Sequence, residues 1–180
     1  MKGHRFLFGG IIGLFIFIVS GSLARLHAEP CKASVYSTSG TVEFAPPGSN
    51  SFSQLQKGQI LDIGTSIRTG SDGTAIIVTT PGSAITVGND THLKLNVLAF
   101  AKTGSTVTER EAHIELTSGV VGALIDPKTP KITDFKIQTP QGGASARGTS
   151  YAVAVINGKT YVNVLHGKVG VGTIGAGHGF

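Results

Sequence analysis

Histidines are the residues whose spacing would most directly indicate chemistry, because two imidazoles on one strand or helix commonly bind a metal ion. Three of the six histidines lie near the ends of the sequence, namely His4, His27 and His178. The others, His92, His113 and His166, are far apart, and none has a second histidine two positions away, as a strand site would need. We expect ordinary strand or turn histidines and predict no metal site.

Hydrolytic chemistry needs a nucleophile beside a base, or two convergent carboxylates. The sequence contains no Gly-x-Ser-x-Gly segment. Its aspartates stand beside turns or strand ends, where a carboxylate usually accepts backbone N–H groups. These aspartates are Asp62, Asp72, Asp90, Asp126 and Asp134. We therefore predict a protein that is not an enzyme and has no cofactor.

Arg147 stands out because two glycine-containing turns flank it and Gly148-Thr149 follows it directly. A guanidinium in such a place could receive an anionic ligand. Its five donors also suit hydrogen bonds to the carbonyls of neighbouring turns. We favour the second interpretation and expect structural roles for Arg147, Gly148 and Thr149, so that Arg147→Ala lowers stability.

The elements that would position Arg147 begin with a hairpin. Asn157-Gly158 separates two runs rich in β-branched and aromatic residues, which strongly indicates a type I′ turn. The resulting register places three cross-strand pairs on the core face: Val155 with Thr160, Val153 with Val162 and Tyr151 with Val164. Ala154 with Tyr161 and Ala152 with Asn163 then occupy the outer face.

The whole chain shows the same pattern of turns and short strands. Glycine accounts for 26 of 180 residues and charged residues for only 14%, and alternating segments recur about every 8–12 residues. The predicted fold class is all-β, with many short strands and glycine turns in a compact sandwich, barrel or short solenoid-like domain. We expect this domain over residues 33–172 and a glycine-rich flexible tail over residues 173–180, with fraying from Gly170 onward.

Two polar segments, residues 46–53 and 101–111, are predicted to be exposed loops, the second a mobile one. Because an interaction needs exposed material, we expect these loops to capture a partner.

The N-terminal segment, residues 1–28, has the features of a signal peptide. Lys2 and Arg5 precede an apolar run, and small residues follow it, so that cleavage is expected after Ala24 or Ala28. The alternative is an uncleaved anchor, since residues 6–23 approach the roughly 18–20 apolar residues that span a bilayer. Only an uncleaved segment would bring the chain to a membrane.

Charge and cysteine content narrow the possible partners. The net charge of +5 includes Lys2, Arg5 and Arg25, and without them 12 basic residues face 10 acidic ones, or +2. No basic run remains, so we do not expect a nucleic-acid partner. The single cysteine, Cys31, excludes an internal disulfide and is expected to be a free thiol near a flexible end.

The order of motifs resembles the FecR domain family over about residues 41–171. The specific piece is Ala146-Arg147-Gly148-Thr149-Ser150-Tyr151-Ala152-Val153, because the glycine turns alone recur in many β proteins. The other matching pieces include Ser39-Gly40-Thr41-Val42, Ile67-Arg68-Thr69-Gly70, Pro81-Gly82-Ser83, Ser118-Gly119-Val120-Val121, Phe135-Lys136-Ile137-Gln138-Thr139-Pro140 and Leu165-His166-Gly167-Lys168-Val169.

The resemblance implies an all-β domain outside the cytoplasm. Some members of the family are transmembrane regulators of iron-uptake signalling, and others are exported proteins that stand alone. Only residues 1–5 precede the apolar run here and little follows Gly172, so we expect the exported domain alone. Its expected function is non-enzymatic binding or scaffolding with another envelope protein. A membrane-anchored signalling regulator remains the alternative, and an envelope enzyme a more distant one.

Overall fold

The computed structural model describes residues 28–30, 32–79 and 82–173, and in these ranges the chain forms fifteen strands and one 3-10 turn. The strands are β1 (Ala28–Pro30), β2 (Ala33–Ser39), β3 (Val42–Ala45), β4 (Ser53–Gln54), β5 (Ile60–Leu61), β6 (Ser66–Thr69), β7 (Thr74–Thr79), β8 (Ser83–Val87), β9 (His92–Thr103), β10 (Thr106–Ile125), β11 (Thr133–Thr139), β12 (Gly142–Ala146), β13 (Ser150–Ile156), β14 (Lys159–His166) and β15 (Val169–Thr173). The 3-10 turn, Pro130–Ile132, precedes β11. The predicted all-β class is confirmed.

Strand β10 organises the sheet because it pairs with four other strands. Its part up to Ser118 belongs to a first layer, in the order β4-β3-β6-β9-β10-β11-β12-β15, with β1 beside β9. Its part from Gly119 belongs to a second layer, in the order β14-β13-β10-β8-β7-β2-β5. β10 pairs with β11 in parallel, whereas the other pairs among the described strands are antiparallel. The sheet thereby curls on itself into a half-barrel.

The core lies between the two layers and is built from alternate residues of the facing strands. Its largest members include Phe135 of β11 and Tyr151 of β13, each at most 1% exposed. Their rings meet edge to face with centroids 6.4 Å apart, an arrangement that aromatic pairs favour. The Tyr151 hydroxyl also donates to the Ala144 carbonyl at 3.4 Å, which ties β13 to β12 across the core.

The predicted β13–β14 hairpin is confirmed in its register. Ile156 pairs with Lys159 and Tyr151 with Val164, and the turn residues Asn157 and Gly158 have φ of +51° and +72°. The assignment of a core face is correct for β13 but only partly for β14, because Val164 is 43% exposed. Among the described strands, β14 is the last of its layer and pairs with β13 alone, so that within these residues strand pairing covers only one of its edges.

The prediction of a mobile loop over residues 101–111 is wrong. β9 and β10 continue through this segment as one long hairpin, which turns at Gly104 with φ of +61°. Backbone pairing sustains it on both sides, since β1 pairs with β9 and β11 pairs with β10 here. The sequence is polar because this end of the hairpin is largely open to solvent, with Glu109 exposed and the small side chain of Ala101 buried.

The expected fraying from Gly170 is also wrong as far as Thr173. β15 pairs along its length with β12, a strand that the sequence did not predict because glycine, alanine and serine disfavour strands. The pairing depends on close backbone approach, since a Cβ atom on Gly142 would overlap the Gly172 carbonyl oxygen. Glycines therefore permit the strand pairing at this edge of the first layer and do not disrupt it.

Several sequence predictions lie wholly or mainly outside the described residues. The signal segment contributes only Ala28 to them, and neither Cys31 nor residues 174–180 are included. Within the described ranges, no helix has the length and apolar character that crossing a membrane requires.

Candidate functional site

Arg147-Gly148-Thr149 forms the link between β12 and β13. Thr149 is 2% exposed, and its hydroxyl donates to the Lys168 carbonyl at 3.1 Å while its own carbonyl accepts the Ile125 N–H at 3.1 Å. Gly148 has φ of +70°, and a Cβ atom there would lie 3.0 Å from Pro127 Cα. Gly148 and Thr149 thus join the end of β10, the following turn and the segment before β15.

Arg147 does not make the hydrogen bonds that the sequence suggested. Its side chain is exposed, and in the described part of the chain it has no hydrogen bond or ion pair. It lines two shallow clefts of about 430 and 360 Å³, both of which Asp134 also lines. Arg147 is therefore a surface residue beside a polar region of the first layer.

Because Arg147 is exposed and Thr149 is buried, we expect substitutions at the two positions to change the free energy of unfolding by different amounts. Arg147→Ala should change the free energy of unfolding by less than about 0.5 kcal/mol, because an exposed side chain without partners contributes little. Thr149→Val should lower it by about 1–3 kcal/mol, because the buried Thr149 hydroxyl and its part-buried hydrogen bond to the Lys168 carbonyl are lost. Urea denaturation measures both values. If Arg147→Ala lowered the free energy of unfolding as much as Thr149→Val, Arg147 would have the structural role that the sequence suggested.

The polar region beside Arg147 lies on the outer face of β10 and β11. Glu111 pairs with Asp134 and His113 with Lys136, and the intervening residues, such as Ala112 and Phe135, point into the core. The His113 Nε2 atom lies 3.3 Å from Glu111 Oε1 and 3.6 Å from Asp134 Oδ2. One imidazole and two carboxylates therefore converge on one point of this face.

The sequence missed this cluster for two reasons. Paired histidines do not form it, since a carboxylate and an imidazole, Glu111 and His113, stand two positions apart on one strand. Glu111 had also been assigned to a loop, and the parallel register that brings Asp134 beside it is not visible in the sequence. The pattern Glu-x-His within a strand is the feature of the sequence that could have indicated this cluster.

The predicted turn-capping role is confirmed for Asp72 and Asp126, whereas within the described residues the carboxylates of Asp62 and Asp90 accept no hydrogen bond. Asp72 accepts the Thr41 N–H at 3.2 Å, and this bond lowers the pKa of Asp72. Asp126 accepts the Lys128 N–H at 2.9 Å. Asp134 differs, because its carboxylate faces His113.

A second candidate surface lies on the other layer. We call residues 161–165 of β14 the β14 edge. Three of its apolar side chains are widely exposed: Tyr161 is 53%, Val164 43% and Leu165 70% exposed. Next to it, the Thr160 N–H is already bound by Gln141 Oε1 at 2.8 Å, so the open part of the strand begins at Tyr161.

Fold and surfaces together define an all-β domain with an open apolar strand edge and a separate polar cluster. A family model for FecR proteins matches residues 65–170, and the chain belongs to this family. Neither the comparison with curated proteins nor that with solved structures finds a match. The family is regulatory and works in signalling at the cell envelope. Strands β2 to β5 precede the matched residues but belong to the same sheet.

Proposed function

We propose that the protein is a non-enzymatic, extracytoplasmic member of its family that binds an extended segment of another envelope protein along the β14 edge. Membership in the FecR family supports a role in envelope signalling with a protein partner. The apolar segment near the N-terminus supports export. A membrane-anchored form differs only in retaining residues 1–28, and N-terminal sequencing of the protein recovered from cells distinguishes the two.

The single observation that carries the proposal is that, in the part of the chain that the structure describes, the outer backbone of the β14 edge is unpaired. In a hairpin with a two-residue turn, the residues flanking the turn are hydrogen-bonded to each other, and the bonded pairs then alternate. The N–H groups of Thr160, Val162 and Val164 therefore point away from β13, as the bond from Thr160 to Gln141 illustrates. Val162 and Val164 can receive an added strand.

The β14 edge also lacks the features that normally prevent such pairing. Exposed edge strands usually carry a proline, a central bulge or charged side chains, or are very short. Residues 161–165 are Tyr-Val-Asn-Val-Leu and include neither proline nor charge. By contrast, the end strands β4 and β5 have only two residues each.

Charge indicates the kind of segment that would bind. The sequence has no Asp or Glu after Asp134, whereas Lys159 and Lys168 flank the β14 edge, and both are exposed. A partner strand with acidic residues at its ends would complement them. Residues 101–111, which we had expected to form an interaction loop, belong to the β9–β10 hairpin, and deleting them would remove strand pairing.

The test places a photo-crosslinking amino acid at Tyr161, in cells that express the protein. Tyr36 supplies the matched control, since it is also a strand tyrosine and is 63% exposed. We expect a discrete adduct from position 161 and none of the same mass from position 36. Val164→Pro should reduce the adduct at least about tenfold, because proline removes an outward N–H and leaves the bonds to β13 in place.

Val164→Thr keeps the shape and the N–H of Val164 and should leave the adduct within about twofold of the original amount. Circular dichroism of both variants checks that the fold persists. Equal adducts from positions 161 and 36, or an adduct unaffected by Val164→Pro, would contradict the proposal. An adduct with the mass of two copies of this chain would show self-association in place of a second protein.

A further inference from the structure

We propose that Glu111, His113 and Asp134 form a binding site for a divalent transition-metal ion, with Zn²⁺ as its representative. The three side chains each direct one ligand atom to the same point, and these atoms all lie within 4.8 Å of one another. The site is on the outer face of the first layer and is distinct from the β14 edge. It therefore stands independently of the proposed function.

The distances fit one ion bound by three ligands. Zinc binds imidazole nitrogen and carboxylate oxygen at about 2.0–2.2 Å, so neighbouring ligands of a tetrahedral ion are about 3.4 Å apart. The separations from His113 Nε2 are 3.3 Å to Glu111 Oε1 and 3.6 Å to Asp134 Oδ2. A small rotation of either carboxylate completes the geometry, because both side chains are partly exposed.

The state of His113 gives an independent reason to expect an ion. Its Nε2 atom is fully shielded from solvent and has no hydrogen-bond partner, which is unfavourable for a polar atom unless something else binds it. A metal ion would bind the lone pair of a neutral imidazole and offset the repulsion between two close carboxylates.

Neighbouring cationic side chains do not offset the repulsion between the two carboxylates. Lys136 is the cross-strand neighbour of His113, and Arg147 lines clefts that include Asp134. Neither forms an ion pair with the two carboxylates in the described residues. The competing arrangement is a protonated His113 that pairs with both carboxylates, and it predicts no metal binding.

The site is open on its solvent side, since the side chains of Glu111 and Asp134 are 39% and 46% exposed. Three protein ligands leave a fourth tetrahedral position for water or for a group from another molecule. The pairing of β10 with β9 shifts register between His113 and Ile114, and bulges of this kind often redirect side chains near sites. We therefore expect an exchangeable ion, unlike the enclosed ion of a structural zinc site.

The experiment titrates Zn²⁺ into the purified, untagged protein by isothermal calorimetry. We expect one ion per chain, and at least about tenfold weaker binding in both His113→Ala and Asp134→Asn. His92→Ala and His166→Ala are the matched controls, because both histidines are exposed on strands away from the cluster. Their affinity should stay within about twofold of the original.

Thermal unfolding separates loss of the site from loss of the fold. In a chelator, Asp134→Asn should unfold close to the midpoint of the unaltered protein, and Zn²⁺ should raise only the midpoint of the unaltered protein and the controls. The proposal is overturned if the unaltered protein binds no Zn²⁺, which would leave the protonated pairing. It is also overturned if His113→Ala binds as well as the original, or if both control variants lose binding equally.

Discussion

Replacement of Gly119 by alanine is expected to lower the free energy of unfolding by about 3 kcal/mol or more, or to prevent folding. Gly119 is the residue at which β10 passes from the first layer to the second, and its φ is +85°. A Cβ atom there would overlap Cα and Oγ1 of Thr91 and lie 2.7 Å from the Asp90 carbonyl oxygen. Thr91 cannot move away easily, because it is buried and its hydroxyl accepts the Val120 N–H at 2.9 Å.

Gly158→Ala is the matched control for this result. Gly158 also has a positive φ, +72°, but a Cβ atom there would meet nothing within 4 Å. Its replacement should therefore cost only the backbone strain, about 1 kcal/mol. Urea denaturation of the two variants compares the effects, and equal losses would mean that the bend of β10 relaxes around a methyl group.

The second large effect is expected from Tyr151→Ala, at about 3–5 kcal/mol. Tyr151 is 1% exposed and packs edge to face on Phe135, so its removal leaves a cavity between the two layers. Tyr151→Phe keeps the ring and loses only the long hydrogen bond to Ala144, at a cost of about 1 kcal/mol or less. If the two variants were equally unstable, the hydroxyl and not the ring would matter.

Tyr151→Phe should also change how stability depends on alkaline pH. Burial, with a smaller effect of the Asp134 carboxylate, raises the pKa of folded Tyr151 well above the ordinary 10.0. Above pH 10 the unfolded chain has lost a proton that the folded chain keeps, so stability falls as pH rises, by up to about 1.4 kcal/mol per pH unit from this group. Tyr151→Phe lacks this contribution and should show a shallower decline.

Local patterns in the sequence were sufficient for the parts of the fold that local chemistry determines. Asn157-Gly158 specified the turn and the register of β13 and β14, because few residues accept positive φ at two successive positions. Two of the turn aspartates, Asp72 and Asp126, likewise accept the backbone N–H groups that their positions predict. In each case the residues of a short segment determine its local conformation.

The remainder depended on pairing between distant strands. The polar residues near Gly104 contain no apolar alternation, yet they are strands because β9 and β10 pair with each other up to the turn, and β1 and β11 pair with the adjoining residues. β12 and β15 consist largely of small residues and are strands because of their backbone partners, since β12 pairs with both β11 and β15 and β15 pairs with β12. The cluster around His113 was hidden for the same reason, since the register of β10 against β11 creates it.

The extent of the FecR match has a practical consequence for anyone who isolates this domain. A chain trimmed to residues 65–170 would lose β2 and β3, which pair with β7 and β6. The edge of β7, Thr-Ala-Ile-Ile-Val-Thr, would then be bare, and the buried side chains of Val35, Val42, Leu55 and Leu61 would be missing from the core. An apolar, uncharged strand of this kind promotes aggregation. The segment that matches the family model and the part of the chain that forms the sheet are thus different lengths, and we expect soluble material only from the longer one.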